Sequence, residues 1–191
     1  MFYEIIHNYL CCKMSYVIGI DFGGVLSRHD KQYVKSEKIL EHTSTVIDMP
    51  HVVESLQLLH AEGHSLHIIS FCGKKRAHES SQSLTDNNIS HLFKSQNYVK
   101  HKQYKAHLCD YIGCNVMIDD RRDILDNIKT CLPHIHTIWL NTGNITIHNI
   151  HHVATNWHDV LRILHILSPT YSVPNKTIRI SQFIHTLDPV R

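Results

Sequence analysis

Short apolar runs alternate with stretches of helical periodicity along most of the chain. The apolar runs predict strands over residues 16–20, 65–70, 114–118 and 135–140, with a shorter one at 98–99. The periodic stretches predict helices over residues 50–62, 74–84, 104–112, 123–131 and 156–167. The strand-like runs are mostly apolar without alternation, which is typical of parallel strands covered on both faces. The pattern therefore predicts an α/β fold of three layers around a mainly parallel sheet.

Three segments fall outside this alternation. We interpret residues 1–14 as an N-terminal extension and residues 168–191, which contain three of the five prolines, as a C-terminal tail. In the tail, residues 177–184 alternate in part and predict a strand that pairs at an edge or with a partner. Residues 27–49 are largely polar and too few to form an independent domain, so we expect a short helical flap or loop. The remaining chain, residues 15–167, is predicted to form one domain.

Polar side chains follow three of the predicted strands at the point where each strand ends. Asp21 ends the first run and is followed one residue later by two glycines, Ser70 ends the second, and Asp119 and Asp120 end the third. Because the carboxyl ends of parallel strands meet at one edge of a sheet, we expect these groups to converge in one crevice. A carboxylate at such a place can bind a metal ion or attack a phosphoryl group.

Each of these residues also has a purely structural interpretation. Asp119 and Asp120 can cap the helix that follows them, and Ser70 can be a turn residue. Lys105 or Lys102 is expected to supply a positive charge to the crevice, but several lysines lie in this stretch and most must be solvated surface charges.

The order of these residues resembles that of the haloacid dehalogenase-like (HAD) superfamily of hydrolases over roughly residues 15–165. Four motifs match in chain order. Asp21, Val25 and Leu26 match the first motif, and Ser70 matches the second. Lys105, or Lys102 as the fallback, matches the third, and Asp119 and Asp120 match the fourth. The resemblance implies a Rossmann-like three-layer α/β/α sandwich with a minimal cap at about residues 27–49.

The resemblance also implies a magnesium-dependent phosphohydrolase that forms an aspartyl-phosphate. Asp21 would be the nucleophile, and Lys105 would neutralise charge on it and on the phosphoryl group. Ser70 and the backbone N–H groups of Phe71 and Cys72 would donate hydrogen bonds to phosphate oxygens.

The implied metal site contains only oxygen ligands. Mg²⁺ would be bound by Asp21, the backbone carbonyl of Gly23, and Asp120, with Asp119 as a direct or indirect ligand. The 19 histidines also form clusters in the sequence, but none of these clusters pairs with cysteine at zinc-ligand spacing. We therefore assign the histidines to the surface or the core.

Gly23 departs from the family pattern, which has an aspartate there that serves as general acid and base. Loss of that group favours one of three outcomes: another group such as His29 or a metal-bound water replaces it, the substrate has a good leaving group, or the protein binds phosphate without useful turnover. The alternative to an enzyme is therefore a catalytically impaired binding or regulatory protein. A receiver-like phosphoacceptor domain fits less well, because there an acidic pair would come from the first strand.

The remaining composition narrows the partners only partly. The formal net charge is +2, which gives no support for a nucleic-acid or membrane surface. The short cap and the closing segment Asn156-Trp157-His158-Asp159 resemble nucleotidase and polynucleotide-phosphatase members, so we expect a phosphorylated small molecule such as a nucleotide, or a nucleic-acid end.

The six cysteines include no Cys-x-x-Cys pair, and an α/β pattern predicts reduced thiols in the cytoplasm or nucleus. The sequence leaves the oligomeric state open.

Overall fold

The computed structural model describes residues 15–28, 45–143 and 150–167. Three predictions fall outside these residues: the N-terminal extension at 1–14, the tail with its edge strand at 177–184, and His29 with most of the cap segment.

Six parallel strands form the central sheet of the described chain, in the order β3-β2-β1-β4-β5-β6. Their bounds are β1 Val17–Ile20, β2 Ser65–Phe71, β3 Phe93–Val99, β4 Val116–Asp119, β5 His136–Leu140 and β6 His152–Ala154. This parallel sheet confirms the predicted Rossmann-like α/β fold class.

Five α-helices in the described residues cover the two faces of the sheet. Their bounds are α1 Val52–Ala61, α2 Lys74–Asp86, α3 Tyr104–Ile112, α4 Arg122–Cys131 and α5 Trp157–Leu167. Apolar residues of α1 and α5 join one core cluster, whereas those of α3 and α4 join a second cluster with Ile69 and Met117 of the sheet. Two separate cores on one sheet give the expected three layers. In the described residues, every helix is too short or too polar to span a bilayer.

The strand order reverses beside β1. From β1 the chain builds outward through β2 and β3, then returns to place β4 on the other side of β1. Ile20 of β1 is paired in register with Ile118 of β4 and with Ile68 of β2. The carboxyl ends of these three strands therefore lie side by side at the switch point, where open α/β sheets bind ligands.

The boundaries of several elements differ from the prediction. β3 extends over Phe93–Val99, because its alternating polar residues are accommodated in a partly exposed outer strand. β6 was not predicted, since three residues that begin with an exposed His152 carry little apolar signal. Strand β6 is nevertheless held by its neighbour His151, whose imidazole is hydrogen-bonded to Thr137 (2.7 Å) and Asp126 (2.9 Å).

Gly19 lies in β1, and its neighbours leave no room for a side chain at this position. A Cβ atom at this position would lie 2.7 Å from Met117 Sδ and 3.0 Å from Ile69 Cδ1. Contacts this short require the surrounding core to shift, because protein interiors are closely packed.

We expect Gly19→Ala to lower the free energy of unfolding by about 1–3 kcal/mol through overpacking. Urea denaturation followed by circular dichroism measures this change. Gly73→Ala is the matched control, because a Cβ there meets no atom within 4 Å and its φ is −75°. Equal stability of the two variants would contradict the packing argument.

Candidate active site

Asp21 lies directly beyond β1 at the switch point. Its backbone N–H donates a hydrogen bond to the carbonyl of Ile118 at 3.0 Å, which continues the pairing of β1 with β4 by one residue. Its side chain is only 9% exposed. The sheet thus fixes the Asp21 carboxylate in a narrow opening at its carboxyl edge.

The turn after Asp21 is closed by its own backbone. Leu26 N–H donates to Phe22 O at 2.9 Å, and Gly24 N–H donates to Ser27 O at 2.7 Å. Gly24 has a φ of 74°, a conformation that favours glycine. The indole N–H of Trp157 in α5 donates to Val25 O at 2.9 Å, which joins the turn to this helix.

Lys105 in the first turn of α3 is the cation of this site. Its side chain is fully buried, with Nζ 2.7 Å from Asp119 Oδ2 and 3.0 Å from Asp21 Oδ1. The alternative, Lys102, instead pairs with Asp123 at 2.7 Å on an exposed surface. The structure therefore brings Lys105, and not Lys102, to the carboxylates.

The two later carboxylates occupy different environments. Asp119 is fully buried, and its Oδ1 accepts a hydrogen bond from the backbone N–H of Arg121 at 2.9 Å. This bond fixes Arg121, the residue before α4, but it does not cap the helix as the structural interpretation expected, because α4 has no side-chain hydrogen bond at its N-cap. Asp120 is half-buried, and its backbone carbonyl accepts the indole N–H of Trp139 at 2.8 Å. Trp139 gave no sequence signal for this role, because it lies within an apolar strand.

One oxygen from each of Asp21, Asp119 and Asp120 lies within 4.8 Å of the other two. A single cation reaches its oxygen ligands at about 2 Å, so small adjustments bring three such atoms around one ion. Carboxylate oxygens are the hard ligands that Mg²⁺ prefers. The donor set and its compactness therefore fit a magnesium ion.

The charges of the cluster are only partly balanced. Burial raises the pKa of Asp119 to about 7 against the opposing effect of Lys105, and the charges of Asp21 and Asp120 raise it further. Burial would lower the pKa of Lys105, but the adjacent Asp119 and Asp21 carboxylates raise it above its ordinary value, so Lys105 stays charged. The Lys105 ammonium contacts two of these carboxylates. The charge of Arg121 also acts on Asp119 and Asp120, and a divalent cation would offset the repulsion that remains.

Ser70 lies at the same edge of the sheet, near the carboxyl end of β2, and is buried. The backbone N–H of Cys72, expected to be available to phosphate, instead donates to Val99 O at 3.1 Å. That expectation was wrong, because β3 continues far enough to engage it. Cys72 still lies near the cluster, since the charges of Asp21 and Lys105 both act on its thiol.

Solved structures share this architecture. The chain resembles a HAD-superfamily hydrolase from Ehrlichia chaffeensis at 11% identity and a TM-score of 0.54, over 81% of this chain and 98% of that one. It resembles a haloacid dehalogenase-like family hydrolase from Xanthomonas campestris at 12% identity and a TM-score of 0.55, over 80% and 96%. The chain has a HAD-like fold.

A third solved structure, an uncharacterized protein from Listeria monocytogenes serotype 4b, gives the same fold at 14% identity and a TM-score of 0.56, over 80% and 99% of the two chains. No family model matches the sequence, and no curated protein matches it. At sequence identities this low, the similarity to HAD hydrolases establishes the fold alone, so the chemistry must be argued from the residues of the site.

Lys105→Gln is expected to lower the free energy of unfolding by about 3–5 kcal/mol, because it leaves two buried carboxylates without their cation. Urea denaturation in metal-free buffer measures the loss. Lys102→Gln is the matched control, and its exposed ion pair contributes only about 0–1 kcal/mol. Comparable losses in both variants would show that the buried pairs do not hold the site together.

Asp123 provides a pH-dependent test of the start of α4. Burial opposes its ionisation, but hydrogen bonds from Arg121 and Lys102 overcome this and lower its pKa from 3.8 to about 2. A carboxylate whose pKa is lowered by folding stabilises the fold above its unfolded pKa and loses this effect as the pH falls through its folded pKa. Asp123→Asn should therefore lower the melting temperature at pH 6.

The difference between this variant and the wild type should shrink as the pH falls from about 4 towards 2. Thermal denaturation followed by circular dichroism at pH 6, 4 and 3 measures the trend. A difference that stays constant over this range would mean that the ionised Asp123 contributes nothing to stability.

Proposed function

We propose that this protein is a magnesium-dependent phosphohydrolase that acts through an aspartyl-phosphate on Asp21. The observation that carries this proposal is the cluster in which Asp21 and Asp119 share the buried Lys105 ammonium, with Asp120 within 4.8 Å of both. The HAD-like fold supports the same reaction class. We further propose a nucleotide or a nucleic-acid terminal phosphate as the substrate, from the resemblance to nucleotidase-like sequences.

The residues assign the steps of the reaction. Lys105 engages Oδ1 of Asp21, which leaves Oδ2 as the oxygen that attacks phosphorus. The bond from phosphorus to the leaving oxygen breaks, and that oxygen takes a proton from a water molecule. Water then attacks phosphorus, the bond to Oδ2 breaks, and inorganic phosphate is released. Asp21 is thereby restored for the next turnover.

The surrounding groups stabilise the charge that moves in these steps. Lys105 holds a fixed positive charge beside Asp21 in a buried position, where electrostatic stabilisation is strong. Asp21, Asp120 and Asp119 would hold Mg²⁺, with Gly23 as a further ligand through its carbonyl, and the ion would polarise the phosphoryl group. Ser70 at the end of β2 would donate to a phosphate oxygen.

Gly23 supports a second candidate function. A glycine cannot protonate the leaving oxygen, and a general acid usually contributes about a hundred- to ten-thousand-fold. The alternative is a phosphate-binding or regulatory protein with little turnover. Gly23 is half-buried and, unlike Gly24, has no positive φ, so an aspartate is compatible with its backbone.

Hydrolysis of p-nitrophenyl phosphate separates the two functions, because this ester has a good leaving group and tolerates the loss of an acid. We expect activity that requires Mg²⁺, falls to background in Asp21→Asn, and persists in the exposed control Lys102→Gln. Poor substrates such as alkyl phosphates should gain rate in Gly23→Asp. A folded wild-type protein without activity at high concentration would refute the hydrolase and favour the binding module.

A further inference from the structure

A cavity of about 610 Å³ lies at the carboxyl edge of the sheet, on the side of α1 and α5. Its walls come from Gly24 and Arg28 after β1, from Met49 and Pro50 before α1, and from the loops that follow β5 and β6, including Thr155. Cavities of about 300–1,000 Å³ with apolar walls and a few polar groups are typical small-molecule sites.

This cavity borders the proposed phosphoryl site through the turn that follows Asp21. Gly24, three residues after Asp21, forms part of its wall. Gly24 adds no side chain to this wall, so the cavity stays open at the turn that follows Asp21. The organic part of a phosphate ester that is attacked by Asp21 therefore has space in this cavity.

The walls are held by hydrogen bonds that do not involve any ligand. Met49 N–H donates to Leu26 O at 3.2 Å, which joins the segment before α1 to the turn after β1. The hydroxyl of Thr155, another lining residue, donates to Asp159 Oδ2 at 2.7 Å. The cavity is thus preformed, which lowers the ordering cost of binding.

Arg28 gives the cavity its charge. Among the lining residues that the structure describes, it alone carries a charged side chain. Its backbone N–H is fixed by Asp48 Oδ1 at 2.7 Å, whereas the residue itself is exposed at the rim. A guanidinium on a fixed backbone is suited to bidentate binding of a carboxylate or phosphate.

We propose that this cavity binds the leaving-group part of the substrate, and that Arg28 selects phosphomonoesters that carry a second anionic group on that part. This inference rests on the proposed hydrolase function for the placement of the first phosphate. It narrows the proposed substrate to an ester whose leaving part carries a carboxylate or a second phosphate, as a nucleoside bisphosphate or a nucleic-acid end does and a nucleoside monophosphate does not.

Two non-hydrolysable analogues test this selection without turnover. Benzylphosphonate and 4-carboxybenzylphosphonate differ only in one carboxylate, and their affinities for the full-length protein in Mg²⁺ are measured by calorimetry. The wild type should bind the carboxylated analogue about tenfold more tightly, because Arg28 can donate charge-assisted hydrogen bonds to its carboxylate. Arg28→Gln should reduce this preference to about twofold or less.

Lys94→Gln is the matched control, because it removes one exposed positive charge at the opposite, amino end of β3 and should keep the preference. Equal binding of the two analogues by the wild type, binding of neither, or an unchanged preference in Arg28→Gln would overturn the proposal. A protein that does not hydrolyse p-nitrophenyl phosphate, but still prefers the carboxylated analogue through Arg28, would refute the hydrolase function and leave this inference standing.

Discussion

The crevice at the carboxyl edge depends on the Lys105 ammonium, which lies between the carboxylates of Asp21 and Asp119. Without it, two buried anions on neighbouring strands would repel each other, and at least one would take up a proton. A buried ion pair is an inefficient way to stabilise a fold, because desolvation offsets much of the attraction. We therefore take this arrangement as a charge cluster that serves a site at this edge of the sheet rather than the stability of the fold.

The sheet supplies the positions that make this charge cluster possible. β1 and β4 are paired in register up to Ile20 and Ile118, so the next residues, Asp21 and Asp119, are brought to the same level. Helix α3 precedes β4 and starts at that same edge, which lets Lys105 in its first turn reach both carboxylates. The connectivity around the switch point thus brings the residues of the cluster together.

The sequence was most informative where periodicity and strand ends coincide. Apolar runs and helical stretches predicted the fold class and five of the six strands, although β3 was reduced to residues 98–99. Asp21, Asp119 and Asp120, which end two of those runs, lie together in the structure. The resemblance favoured Lys105 over Lys102, and the buried pairs of Lys105 agree with it. Two other contacts between elements were not predictable because they depend on tertiary packing: the hydrogen bond from Trp139 to Asp120, and the one from the Cys72 N–H to Val99. β6 was missed because three residues carry too little pattern.

The central claim is that Asp21 and the later acidic pair form one magnesium-dependent phosphoryl site. A crystal structure of the protein with Mg²⁺ and trifluoroberyllate, a phosphoryl mimic, tests it most directly. We predict beryllium bonded to an Asp21 oxygen, with Mg²⁺ at about 2.1 Å from oxygens of Asp21 and Asp120. Saturating Mg²⁺ and trifluoroberyllate that leave Asp21 unmodified, or a metal bound away from all three aspartates, would contradict the claim.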